Sequence, residues 1–173
     1  SLKKHKITNI ILDPVMVAAS GAKLLEDSAI NVLKAELIPM AMIITPNIPE
    51  AEVLINKKIN TLSEAKDAAK EILNLGCKSV LIKGGHMDID KEYVTDVLYH
   101  DGKFIEIRNK KINKTGHGTG CTLSSAIAAY IAKGLELEEA VKKAISYVHN
   151  ALEHGFKVGE MNYVLNHSWK KKN

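Results

Sequence analysis

Short continuous apolar runs alternate with amphipathic stretches of helical period along the first half of the chain. Ile10-Ile11-Leu12 is the first run. A stretch with no polar interruption suits a strand covered on both faces, as in a parallel sheet, and Asp13-Pro14 ends it. A helix follows, capped by Asp27-Ser28, with Ile30, Leu33 and Leu37 on its apolar face and a stop before Pro39. Residues 42–45 form the next strand, closed by Pro46, and a short helix covers 50–55. Thr61-Leu62-Ser63-Glu64 has capping-box form and opens a helix to about residue 75, with Gly76 as its stop. Residues 79–82 are a third buried strand, running into Lys83-Gly84-Gly85. Then the period changes. Residues 93–100 and 103–108 are two strands joined by Asp101-Gly102, a type I′ hairpin signal. A glycine-rich segment leads into a helix that ends near Lys133-Gly134. The last helix, 138–154, carries Val141, Ile145, Val148 and Leu152 on one face, and Gly155 stops it.

Strand–helix–strand–helix–strand, a hairpin and two consecutive helices make an α/β fold. Its sheet is mainly parallel and flanked by helices, in a single domain over residues 1–173. The length is ample for one core, and 46% hydrophobic with 25% charged residues is a soluble globular balance. The net charge of +4 is spread along the chain, and with 5% aromatic residues and no basic–aromatic interleaving it speaks against nucleic acid. No apolar run has the length of a membrane span. Two cysteines make no disulfide framework, which points to a reducing cytoplasm. No CxxC, HExxH or His/Cys cluster at zinc spacing is present.

Candidate chemistry gathers in two places. In parallel sheets ligands bind beyond the C-terminal strand ends, and here those ends carry Asp13, then Asn47 with Glu50, then Lys83. An acid, an amide with an acid, and a lysine compose a metal–phosphate site. The second place is Thr115-Gly116-His117-Gly118-Thr119-Gly120-Cys121, just before a helix. Glycines permit positive φ and close approach of a ligand to the main chain. The first-turn N–H groups lack intrahelical partners and carry the positive end of the dipole, so the junction suits an anion. Cys121 is then a thiol at that positive end, a place that favours the thiolate. Neither common phosphate fingerprint fits. A Walker A loop needs a lysine that is absent here, and Gly-x-Gly-x-x-Gly would need glycine at Cys121 or Leu123.

Four segments carry a resemblance: Asp13-Pro14-Val15-Met16 with the residues to Gly21, Ile44-Thr45-Pro46-Asn47-Ile48-Pro49-Glu50-Ala51, Leu81-Ile82-Lys83-Gly84-Gly85-His86, and Gly118-Thr119-Gly120-Cys121 with the residues to Ala126. Together, and in this order, they resemble the ribokinase-like superfamily. Within it they resemble the hydroxymethylpyrimidine/phosphomethylpyrimidine kinases of thiamine biosynthesis. The resemblance implies an ATP-dependent, Mg²⁺-requiring kinase of 4-amino-5-hydroxymethyl-2-methylpyrimidine and its monophosphate. It implies that Gly118, Thr119, Gly120 and Cys121 are catalytic, offering N–H groups to the transferring phosphoryl. Cys121 stands where many members of the superfamily place the base. Lys83, with Thr119 and Gly120, contacts the nucleotide's phosphates. Asp13, Asn47 and Glu50 serve Mg²⁺, and Val15 with Cys121 lines the pyrimidine pocket. His86 and His117 flank the site. Each residue also has a plainer reading. Glu50 can compensate a helix dipole, Asp13 can end a strand before a turn, Lys83 can snorkel to the surface, and Cys121 can simply pack.

Members of the family begin with a glycine-rich strand and further βα units that this chain does not show; it opens on Ser1 in the middle of an alternating pattern. The resemblance therefore implies roughly the C-terminal two-thirds of such a kinase. An incomplete sheet has an open edge, so a homo-oligomer is expected. Two rivals follow: a pyridoxal kinase of the same lineage, and a non-catalytic nucleotide-binding fragment.

Overall fold

The computed structural model describes residues 2–17, 22–86, 90–114, 116, 118–158 and 163–170, and forms two compact units, Ser1–Arg108 and Asn109–Asn173. The motif residues Thr115, His117 and 18–21 fall outside the described residues.

The first unit is built on a five-stranded sheet. Its strands are β1 (Ile11–Leu12), β2 (Ile43–Ile44), β3 (Val80–Ile82), β4 (Tyr93–His100) and β5 (Lys103–Lys110), in that spatial order. β1, β2 and β3 are parallel, with Ile11 opposite Ile43 and Ile44 opposite Val80. β4 runs antiparallel to β3, with Ile82 opposite Val97. The sheet is thus mixed, parallel where apolar runs are buried on both faces and antiparallel where the hairpin joins. Asp101 and Gly102 have φ of 48° and 72°, the left-handed pair that a type I′ turn needs.

Three helices cover this sheet's connections: α1 (Asp27–Val32), α2 (Ile48–Ile55) and α3 (Leu62–Leu73). The expected cap at Asp27-Ser28 is not made; the N-cap is Glu26, without a side-chain bond. The expected stop before Pro39 also fails, because a π turn over Leu33–Leu37 and a 3₁₀ turn over Ile38–Met40 prolong α1. The wider π turn moves the apolar face by one residue. Ile38 is fully buried, while Leu37, the expected face residue, is 38% exposed. α2 begins two residues earlier than expected, at Ile48, since Asn47 caps it and Pro49 falls in the first turn, where a missing N–H is harmless. α3 has the predicted capping box between Thr61 and Glu64, and Gly76 lies beyond it at φ 108°. Ile44, Ile48, Leu54, Ala65, Ala69, Ile72, Val80 and Ile82 belong to one buried cluster between these layers.

The second unit is a helix pair, α4 (Thr119–Ala132) and α5 (Leu137–Glu153), followed by a short ribbon of β6 (Phe156–Lys157) and β7 (Tyr163–Val164). Val141 and Ile145 are buried as the period implied, and Leu137, Ala140 and Ala144 complete the same face. The side chain of Lys114 bonds the carbonyls of Glu153 and Gly155, closing the C-terminal end of α5 as cations at helix ends do.

Candidate functional site

Parallel pairing of β1, β2 and β3 brings their C-terminal ends to one margin of the sheet. There the predicted residues of the first unit converge. Lys83 Nζ lies 3.0 Å from Asp13 Oδ1 and 3.9 Å from Glu50 Oε2. All three side chains are largely shielded, at 16%, 15% and 4% exposure respectively. The main chain holds the lysine in place: Lys83 N–H donates to the Pro46 carbonyl at 2.9 Å, and Lys83 bridges Asn47 in parallel register. Buried Thr45 donates from Oγ1 to Asp13 Oδ1 at 3.3 Å.

Asn47 and Glu50 are tied to each other. Asn47 Oδ1 accepts the Glu50 N–H at 2.9 Å, and Glu50 Oε2 accepts the Asn47 N–H at 2.8 Å. This is a complete capping box. Burial raises the Glu50 pKa above its ordinary value, and the Asn47 N–H and the Lys83 ammonium pull it part of the way back. The oxygen-rich set of Asp13 and Glu50 suits Mg²⁺ reached through water. Asn47 Oδ1 spends one acceptor position on the Glu50 N–H in the cap and keeps a second lone pair. Among the described residues no group of three His, Cys, Asp or Glu is arranged to hold a metal ion.

Val15 is 47% exposed between buried Pro14 and Met16. A tight turn, Val15 N–H to the Asp13 carbonyl at 3.0 Å, presents it. The main chain of Gly84–His86 forms a 3₁₀ turn beyond β3.

In the second unit, Gly118 is the N-cap of α4 at φ 82°, with no side-chain cap. Thr119, Gly120 and Cys121 are its first three residues, so their N–H groups have no intrahelical carbonyl and face forward from the positive helix end. The positive φ belongs to Gly118 and not to Gly120, which is helical. A Cβ at Gly118 would meet nothing within 4 Å, so glycine is needed there for conformation alone. Gly116 is different: a Cβ would come within 2.7 Å of Leu152 Cδ1. Cys121 is exposed and opens on a cleft of about 480 Å³ along α4, walled by Ser125, Tyr130, Tyr147 and His167. Tyr147 Oη and His167 Nδ1 are hydrogen-bonded at 2.9 Å. The other cysteine, Cys77, is buried, and burial pushes its thiol up to about 11.

One buried acid beside the site escaped sequence reasoning. Asp96 of β4 is buried, and its Oδ1 accepts the Gly84 N–H at 2.8 Å. The signal was one acid in an otherwise apolar stretch, Asp96-Val97-Leu98.

The match to known proteins is extensive. The family model described as phosphomethylpyrimidine kinase matches residues 1–166. The hydroxymethylpyrimidine/phosphomethylpyrimidine kinase of Bacillus subtilis is 39% identical over 99% of this chain and 64% of its own length. That of Aquifex aeolicus is 42% identical over 92% of this chain and 62% of its own length. Among solved structures, phosphomethylpyrimidine kinase from Clostridium difficile superimposes with a TM-score of 0.74 and 43% identity, over 87% of this chain and 60% of the other. The ADP complex of Bacillus subtilis pyridoxal kinase gives 0.87 at 30% identity, over 98% and 62%. The chain thus spans less than two thirds of the length of these relatives. With its α/β fold and its sheet-end lysine between two acids, the chain belongs to the phosphomethylpyrimidine kinase family.

Proposed function

We propose that the protein transfers the γ-phosphoryl of ATP to 4-amino-5-hydroxymethyl-2-methylpyrimidine and then to its monophosphate. The observation that carries this reading is the shielded Lys83 ammonium, fixed at the ends of parallel strands between Asp13 and Glu50. Phosphoryl transfer is largely positioning and charge neutralisation, and Lys83 supplies a fixed positive charge for the nucleotide's phosphates. Asp13 and Glu50 would hold Mg²⁺ through water, and the ion would neutralise phosphate charge there. Asn47 acts by fixing Glu50. The first-turn N–H groups of Thr119, Gly120 and Cys121 offer donors to the transferring phosphoryl. Cys121, exposed on its cleft, contacts the substrate hydroxyl, and Val15 contacts the ring. Free, unbridged cysteines fit a reducing compartment such as the cytoplasm, and among the described residues no helix is long and apolar enough to cross a membrane.

A second reading, pyridoxal as substrate, is favoured by the higher TM-score against the pyridoxal kinase. The higher sequence identity to the pyrimidine kinases favours the first. The test is a coupled assay on the whole protein with MgATP and either hydroxymethylpyrimidine or pyridoxal. The pyrimidine should give the larger kcat/KM; turnover of pyridoxal alone would exchange the readings, and turnover of neither would overturn both.

A further inference from the structure

We propose that Asp96 is a positioning residue for the nucleotide's phosphates: through the Gly84 N–H it holds the turn after β3, and its charge helps to fix the Lys83 ammonium. The proposal rests on the kinase reading above and deepens it.

The antiparallel register that sets Ile82 opposite Val97 brings Asp96 to the end of β3, beside Lys83 and the turn that begins at Gly84. Its carboxylate reaches the Gly84 N–H, the first residue of that turn. Asp96 is only 9% exposed and follows the apolar order of β4, with Val97 and Leu98 fully buried next to it. Burying a charge in such a place opposes folding. An asparagine would accept the same N–H without that opposition, so acceptance of one hydrogen bond does not account for an acid here. The charge does have a partner: Lys83 is near enough to favour the ionised form of Asp96. Lys83 is therefore restrained by Asp13 at 3.0 Å, by Glu50 at 3.9 Å, and by the field of Asp96 from the neighbouring strand. Just beyond, Gly85 is exposed and a Cβ there would meet nothing within 4 Å. The turn that Asp96 anchors thus leaves main chain open to a ligand beside a fixed cation, as phosphate recognition needs.

The test uses the whole protein with Asp96→Asn and Asp96→Ala. Three quantities are read: the thermal midpoint, kcat/KM for MgATP with hydroxymethylpyrimidine, and the rate at which acetic anhydride labels Lys83, followed by mass spectrometry. Asp96→Asn keeps an acceptor and removes the charge. Its midpoint should rise while kcat/KM for MgATP falls about tenfold, the scale of one charge-assisted interaction. Lys83 should be labelled several-fold faster. Asp96→Ala should lose both stability and activity. A purely structural role predicts that midpoint and activity move together, or that Asp96→Asn is wild type in both; either result overturns the proposal. If the wild-type protein phosphorylates neither hydroxymethylpyrimidine nor pyridoxal, the kinase reading fails by itself. Lys83 labelling then still decides the role of Asp96: an unchanged rate refutes it, and a faster one upholds its hold on the lysine.

Discussion

Asp96 and Glu50 sit where burial favours the protonated acid, so the fold makes their charges harder to carry than water does. For Asp96 the carboxyl is raised from 3.8 to about 6. Between those values the folded chain binds a proton that the unfolded chain has released. Stability attributable to this group therefore falls as pH rises through that window and is fully lost above about 6. A displacement of about two units corresponds to roughly 3 kcal/mol. The exposed acids paired with Lys3 and Arg108, Glu36 and Asp90, shift the other way and set no comparable slope. The difference in midpoint between Asp96→Asn and wild type should accordingly be near zero at pH 4, grow through pH 6 and level off above pH 7. A constant difference from pH 4 to 8 would show that Asp96 stays ionised throughout. The cysteines contrast in a similar way. Cys77, buried with its thiol near 11, should resist iodoacetamide at pH 8, while exposed Cys121 reacts. If Cys121 takes part in the chemical step, Cys121→Asp should retain more turnover than Cys121→Ser; wild-type turnover in the serine variant would leave the thiol a packing role.

Helix ends and turns set the next level of structure. Asn47 caps α2 and orients Glu50, so Asn47→Ala should cost about 1 kcal/mol in urea denaturation, whereas Asn47→Ser, also a good cap, should cost only a few tenths. Equal losses would mean that capping is not what Asn47 does. Glycines divide by mechanism. Gly118→Ala adds a methyl into open space and meets only the left-handed backbone penalty, about 1 kcal/mol. A Cβ at Gly155 would come within 2.8 Å of the Leu152 and Val164 carbonyls, which are backbone and cannot step aside. Gly155→Ala should therefore lower the thermal midpoint further than Gly118→Ala; the reverse order would contradict the geometry around β6 and β7. Much of this level was legible in the sequence, since apolar runs, the Asp101-Gly102 turn and the Thr61 box are local signals. The strand ends then delivered Asp13, Glu50 and Lys83 to one margin. The capping box at Asn47 has the same Asn-x-x-Glu spacing as a metal signature, and spacing alone does not separate the two. The π turn in residues 33–37 was hidden because it answers to where Ile38 must be buried, a tertiary demand. Asp96 was hidden for a related reason: its partner, Gly84, is chosen by strand register.

At the scale of the whole molecule, the five-stranded sheet ends in two edges, β1 and β5, that differ in chemistry. β5 closes one edge with Lys103, Glu106, Arg108 and Lys110 exposed along it, charges of the kind that discourage pairing with another sheet. β1 lies at the other edge. It is a two-residue strand, Ile11–Leu12, half-buried, with Ile7 47% exposed just before it and Val15 equally exposed just after. No charge interrupts residues 7–12. An apolar edge with unpaired N–H and C=O groups is a template for a further strand, and neighbouring apolar surface favours association. The 173-residue chain by itself should thus self-associate in sedimentation velocity at micromolar concentration. Ile11→Lys, which puts a charge on that edge, should shift it toward the monomer. The corresponding change on β5, Glu106→Lys, alters an edge already charged and should leave association as it is. A chain that sediments as a monomer up to about 100 μM would show that the β1 edge is blunted by its shortness alone, the other device by which sheets protect their margins.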